Sequence, residues 1–294
     1  MVMTTVMVLV EGSPQGRSAI RAAFLAARRE GGHVVGVYPI PLEERLTPET
    51  MHLTRGSLGA SGHEIRAMLE RAEHEGGTGV EAGRRLFEEV AAERCATLLE
   101  KPPNPGFLTA HFKALPAGRA DEVAEQGRIF DLVVVRQPRD DPNHRIRTFL
   151  RAVLFQAGRP ILVVPPNERP TLGERPLIAW NGSALSARAA AIARNFFEGA
   201  REVGILSIRG KDWSGPSAQD LAEYAAWHNI AATVIEVDQD KRRLSDILFE
   251  EAAQFNADLI VMGAYSQSPF RESLTGGITN YVLSNTEFPV LMTH

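Results

Sequence analysis

The chain has 294 residues, 44% hydrophobic and 23% charged, with a formal net charge of −4. That composition supports a buried core in one large or two moderate domains, and it carries no global basic field to recommend nucleic acid or an anionic membrane as partner. The single cysteine, Cys95, excludes an internal disulfide framework and a cysteine-rich zinc site.

The N-terminal MVMTTVMVLVEG is apolar but lacks the basic lead-in and cleavage site of a signal peptide, so it reads as a first strand. No apolar run is long enough to span a bilayer, and the expected location is cytoplasmic. SAIRAAFLAARREGG follows, with Ile20, Ala23, Phe24 and Ala27 on one helical face and a stop at Gly31-Gly32. HVVGVYPIP is the second strand. EIRAMLERAEHEGG predicts an additional helix. Cys95 stands at helical spacing from Phe87 and Ala91, which predicts a buried core position. LTAHFKAL (108–115) is the third strand and FDLVVVRQP (130–138) the fourth. Ile146, Phe149, Leu150, Val153 and Leu154 mark an amphipathic helix, and GRPILVVPP (158–166) is the fifth strand.

The second half repeats this order. RPLIAWNGS ends in the same Gly-Ser turn as the first strand, Gly182-Ser183 matching Gly12-Ser13 at an offset of 170. A helix follows with Leu185, Ala189, Ile192 and Phe196 on one face, then REVGILSIR, IAATVIEV (230–237), ADLIVMGAY (257–265) and EFPVLMTH (287–294). The offset falls from 169 at the second strands to 127 at the fourth. The first half therefore carries an insertion at about 42–80. Strands alternating with helices predict parallel sheets built from right-handed crossovers, and continuous apolar strands such as DLVVV and DLIVM predict sheets covered on both faces. The expected fold is α/β: two tandem five-stranded parallel-sheet sandwiches with flanking helices, Rossmann-like, spanning 1–167 and 168–294, with the linker PPNERPTLGER between them.

Ligands of open α/β sheets bind outside the carboxyl ends of the strands, where strand order switches. In the second half that region holds Asn181 after the first strand, and Gly263, Ser266, Gly276, Gly277 and Thr279 after the fourth. Glycines admit a phosphate close to the backbone, and a helix start at Gly276-Gly277 favours an anion. On spacing alone, Gly263 ending a strand and Gly276-Gly277 starting a helix explain the same residues without a ligand. There is no Walker lysine and no GxGxxG fingerprint. In the first half Arg136 and Arg139 take the positions of Gly263 and Ser266. The arginines of this stretch, RQPRDDPNHRIRTFLRAVLF, read as a solvated basic face, with attraction of an anion as the alternative. The eight histidines show no ligand spacing, so no metal site is expected. The serines of the two GS turns lack a GxSxG elbow. Asp131 and Asp258 open the two fourth strands, which suggests a shared structural role. Trp180, Trp213 and Trp227 read as packing residues.

Both halves resemble the universal stress protein family, through VLVEGS and IAWNGS, DLVVV and DLIVMGAYS, GRPILVVP and TEFPVLMTH. The resemblance implies a tandem member, an adenine nucleotide alpha hydrolase-like fold, and pairing of the halves through their last strands, 161–165 and 289–293. Nucleotide-binding members carry Gly-x2-Gly-x9-Gly-(Ser/Thr) after strand four and an Asp after strand one. Here Gly263 and Gly276 match, while Ser266, Gly277 and Asn181 depart from the pattern. The implied contact set is Asn181, Gly182, Ile208, Met262, Gly263, Ser266, Gly276, Gly277 and Thr279. The first half, with Glu11 at the Asp position and no glycine motif, resembles the family's non-binding domains. The implied function is a stress-response regulatory protein binding ATP or a related adenine nucleotide in its C-terminal half, with a homodimer expected. The alternative is a nucleotide-independent scaffold or dimerisation protein. No nucleophile–base pair points to an enzyme beyond slow ATP hydrolysis.

Overall fold

The computed structural model describes residues 5–27, 31–40, 79–100, 106–115, 119–139, 141, 144–197, 199–209, 215–264 and 278–294. The proposed EIRAMLERAEHEGG helix and nearly all of the 42–80 insertion lie outside them.

In the first half the elements are β1 (Thr5–Leu9), α1 (Arg17–Ala27, entered through a 3-10 turn at Pro14–Gly16), β2 (His33–Pro39), α2 (described over 79–93), β3 (Thr97–Leu98), β4 (Thr109–Leu115), α3 (Ala120–Gly127), β5 (Leu132–Arg136), α4 (Arg145–Gln156) and β6 (Ile161–Val164). The second half has β7 (Pro176–Trp180), α5 (Ala184–Phe197), β8 (Val203–Arg209), α6 (Ala218–Ala226), β9 (Ala232–Asp238), α7 (Leu244–Gln254), β10 (Leu259–Gly263), α8 (Ile278–Asn285) and β11 (Val290–Thr293).

The two expected five-stranded sheets join through their last strands, as the resemblance implied, into one sheet of eleven strands, in the order β3-β4-β2-β1-β5-β6-β11-β10-β7-β8-β9. The seam is β6 against β11, paired antiparallel with Val163 opposite Val290, Leu162 opposite Leu291 and Ile161 opposite Met292. The other pairings are parallel. The eleventh strand is the two-residue β3, an edge strand beside β4.

Side chains alternate across a strand, so the apolar runs of the central strands feed both faces. Val6 and Val8 enter one core with α1 and α5, and Met7 and Leu9 enter the other with α4. Each core contains residues of both halves: Leu162 and Leu291 share one, Val163 and Met292 the other. The helical faces read from the sequence turn inward: Ile20, Phe24, Ile146, Phe149, Leu150, Val153, Ala189 and Phe196 are buried, and Leu185 and Ile192 are half-buried.

Asp131 and Asp258 do the same job in the two halves. Asp131 accepts hydrogen bonds from the Thr5 N–H (2.9 Å) and hydroxyl (3.0 Å); Asp258 accepts from the N–H groups of Glu174 (2.8 Å) and Arg175 (2.9 Å). Each carboxylate pins the entry to its half's first strand, a structural role. Two packing expectations fail. Cys95 is exposed, because α2 stops short of it and the chain turns there with φ 55°; the Ala96 N–H reaches back to the Ala91 carbonyl (2.9 Å), a left-handed helix stop. Trp227 follows the last turn of α6 and is 87% exposed, whereas Trp180 is buried. Trp213 lies outside the described residues.

Leu162→Ala and Leu291→Ala are each expected to lower stability by about 2–5 kcal/mol, the usual range for a buried leucine. Urea denaturation measures this, and a coupled loss in both halves' probes, rather than one, is the signature of the shared cores. Asp258→Asn is expected to cost about 1–3 kcal/mol through backbone donors left poorly satisfied, read in the same assay.

Candidate functional site

Within each half the strand order is third-second-first-fourth-fifth, β4-β2-β1-β5-β6 and β9-β8-β7-β10-β11. The order reverses between β1 and β5 and between β7 and β10. Crevices at the carboxyl ends of those pairs are where this topology admits ligands.

In the second half, β7 and β10 lie side by side with Ile178 opposite Val261. Their ends bring together Asn181, Gly182, Met262 and Gly263, and Ile208 stands near the end of the adjacent β8. Asn181 is exposed at the rim. Its Oδ1 accepts from the Ser183 N–H (3.2 Å) and hydroxyl (2.7 Å). The Ser183 hydroxyl oxygen in turn accepts from the Ser186 N–H (3.2 Å), capping the first turn of α5. Asn181 thus organises the turn into α5 as well as standing at the mouth of the crevice. Gly263 is required for close packing: a Cβ there would lie 2.7–2.8 Å from Leu185 and Ser186 atoms of α5. Gly182 has φ 69°, and the backbone of Gly215 lies directly against its carbonyl. The Trp180 indole N–H donates to the Pro216 carbonyl (2.9 Å), holding that same neighbouring loop. Met262 is buried, and Thr279 is buried in the first turn of α8. Ser266, Gly276 and Gly277 lie outside the described residues.

The first-half crevice holds different chemistry. Arg136, at the position of Gly263, forms an ion pair from its Nε to Oε1 of Glu11, at the position of Asn181. Their side chains are 10% and 22% exposed, so this is a largely desolvated pair rather than a surface one. Arg136 also donates to the carbonyls of Gln137 (3.1 Å) and Arg139 (2.9 Å). It is therefore not part of a solvated basic face; Arg147 and Arg151 are exposed and fit that reading. Beside the pair lies a cavity of about 210 Å³ lined by Tyr38, Asp141, Arg145, Phe149 and the end of β1. Arg145 donates to the Pro39 carbonyl and sits over the rings of Phe149 (5.4 Å) and Tyr38 (6.0 Å). The Asp141 carboxylate accepts from the first-turn N–H groups of Arg145 (3.1 Å) and Arg147 (3.0 Å).

Sequence reasoning did not single out Asp141, Arg145 or the Glu11–Arg136 contact. The signal was present: opposite charges at two positions that the repeat aligns across one crevice, and an acid just ahead of a helix. No cluster of histidine, cysteine and carboxylates fit to hold a metal occurs among the described residues, and none of their helices is long and apolar enough to cross a membrane.

Residues 159–294 match the sequence profile of the Universal stress protein family. This stretch is thus similar in sequence to universal stress proteins. The profile match takes in β6 as well as the five strands of the second half. The universal stress protein fold extends further: a universal stress protein from Archaeoglobus fulgidus superposes with a TM-score of 0.65 at 15% identity, covering 100% of this chain and 99% of that one. A functionally unknown protein from Pseudomonas aeruginosa gives 0.56 at 15% identity, covering 99% and 92%. At these identities the likeness is one of fold. No curated protein matches the chain in sequence.

Glu11→Ala is expected to destabilise the protein by about 3–5 kcal/mol, because it removes the carboxylate that balances the largely desolvated Arg136 guanidinium. The double variant Glu11→Asn with Arg136→Gly, which copies the second-half pair, is expected to lose less than the sum of the two single variants. Denaturation midpoints of the four proteins in a double-mutant cycle check this.

Proposed function

We propose that the protein is a stress-response regulatory protein whose C-terminal half binds ATP or a related adenine nucleotide at the β7/β10 crevice. The match of residues 159–294 to the universal stress protein profile supports the regulatory reading. The nucleotide reading rests chiefly on one contrast: the second-half crevice carries the uncharged Asn181 and Gly263 at the two positions where its first-half counterpart carries Glu11 bonded to Arg136. Gly182, Ile208 and Met262 would contact the nucleoside side of the ligand. Phosphates would take the segment between β10 and α8, which carries Ser266, Gly276 and Gly277, with the Thr279 hydroxyl in the first helical turn beyond it. A helix start and glycine backbone donors suit that charge. The Asn181 amide, neutral where nucleotide-binding relatives carry Asp, can both donate to and accept from a ribose or base. It lowers affinity without removing recognition.

Calorimetric titration with ATP and AMP tests the reading, together with mass spectrometry of ligand carried through purification. One adenine nucleotide per chain is expected, lost in Gly276→Trp with the fold intact. Absence of binding at millimolar ligand would leave the scaffold reading instead, and binding that survives Gly276→Trp would place the ligand elsewhere.

A further inference from the structure

We propose that Asp141 is a built-in anion that closes the first-half crevice to phosphate-bearing ligands. The crevice has the ingredients of an anion site. It lies at the switch between β1 and β5, beside the start of the 12-residue α4, and two arginines line it. The free N–H groups and dipole of a helix start attract negative charge. Here that charge belongs to the chain. Both Asp141 carboxylate oxygens are engaged, one by the Arg145 N–H and one by the Arg147 N–H. The second arginine, Arg136, is 9% exposed and bonded to Glu11.

Among the described residues, the cavity of about 210 Å³ is lined by two guanidinium groups and two carboxylates, whose formal charges cancel, with apolar walls from Leu9, Ile146 and Phe149. A phosphate entering it would have to displace Asp141 from the helix start or lie against its charge. Among the described residues no carboxylate forms an ion pair with Arg145; its guanidinium is held by the Pro39 carbonyl and the two rings. Asp141 is thus the group that opposes an incoming anion, and Arg145 the group that would receive one.

The test is the stoichiometry of inorganic pyrophosphate binding at low salt, by calorimetry, for the wild type, Asp141→Gly and Asp141→Asn. Glycine and asparagine are both tolerated at helix starts, so folded proteins with cooperative melts are expected. Each variant should bind one more pyrophosphate per chain than the wild type, more tightly in the glycine variant, where nothing covers the amides. The increment counts whether the second half binds or not: zero to one, or one to two, so it separates this inference from the nucleotide proposal. Adding Arg145→Gln to Asp141→Gly should remove the gained site. Unchanged stoichiometry in both folded variants would overturn the proposal, as would a gained site indifferent to Arg145→Gln.

Discussion

The antiparallel contact between β6 and β11 is the constraint on which the rest depends. Each half ends in a short apolar strand, ILVV and VLMT, whose residues are all buried. Alone, either would be an edge strand with a row of unpaired backbone groups and two apolar faces, a liability for aggregation. Paired with each other, they remove both edges at once and make the two helical layers continuous across the seam. The register also fixes the orientation of the halves, since a one-residue slip would reverse every side chain between the two cores. Links between the halves reinforce it: the Gln137 amide donates to the Thr286 carbonyl (3.0 Å), and Arg188 on α5 donates to the carbonyl of His294 (2.7 Å), whose ring packs on Phe155 (4.7 Å). The linker is held too, by Ser18 to the Pro165 carbonyl (2.7 Å) and by Arg17 to Glu168 (3.3 Å).

Given that frame, the two crevices are one backbone arrangement with two fillings. In the second half the space at the end of β10 is taken by the start of α5, which approaches because Gly263 has no Cβ. In the first, Arg136 occupies the corresponding strand end, and α1 is entered through a separate 3-10 turn. A surface ion pair is worth little, but a desolvated one is costly to break from one side. Glu11 and Arg136 therefore constrain each other: neither is readily replaced alone.

The repeat, the strand assignments and the amphipathic faces were legible in the sequence because they follow from periodicity and from matched offsets. The structural role of Asp131 and Asp258 was legible for the same reason: a residue repeated in place, away from any partner suited to catalysis. Other features resisted. Whether two sheets join as one depends on which edges meet, a matter of tertiary contact beyond local pattern; it was reached through the family resemblance. Cys95 was misplaced because helical spacing says nothing of where a helix stops, and the stop here uses a left-handed residue that is not glycine. Trp227 was misplaced because aromatic content alone does not say which side of a helix end faces the core. Arg136 was read as solvated because its partner lies 125 residues away, and only the alignment of Glu11 with Asn181 and of Arg136 with Gly263 brings them together.

The seam has a consequence for how the two crevices can vary. Were the halves separate identical subunits meeting through the same strands, every substitution would be present in both clefts, and a change that suited one would be imposed on the other. Joined in a single chain, they are a heterodimer with guaranteed one-to-one stoichiometry and no assembly equilibrium. Dilution cannot separate them, and each cleft is free to acquire residues the other lacks.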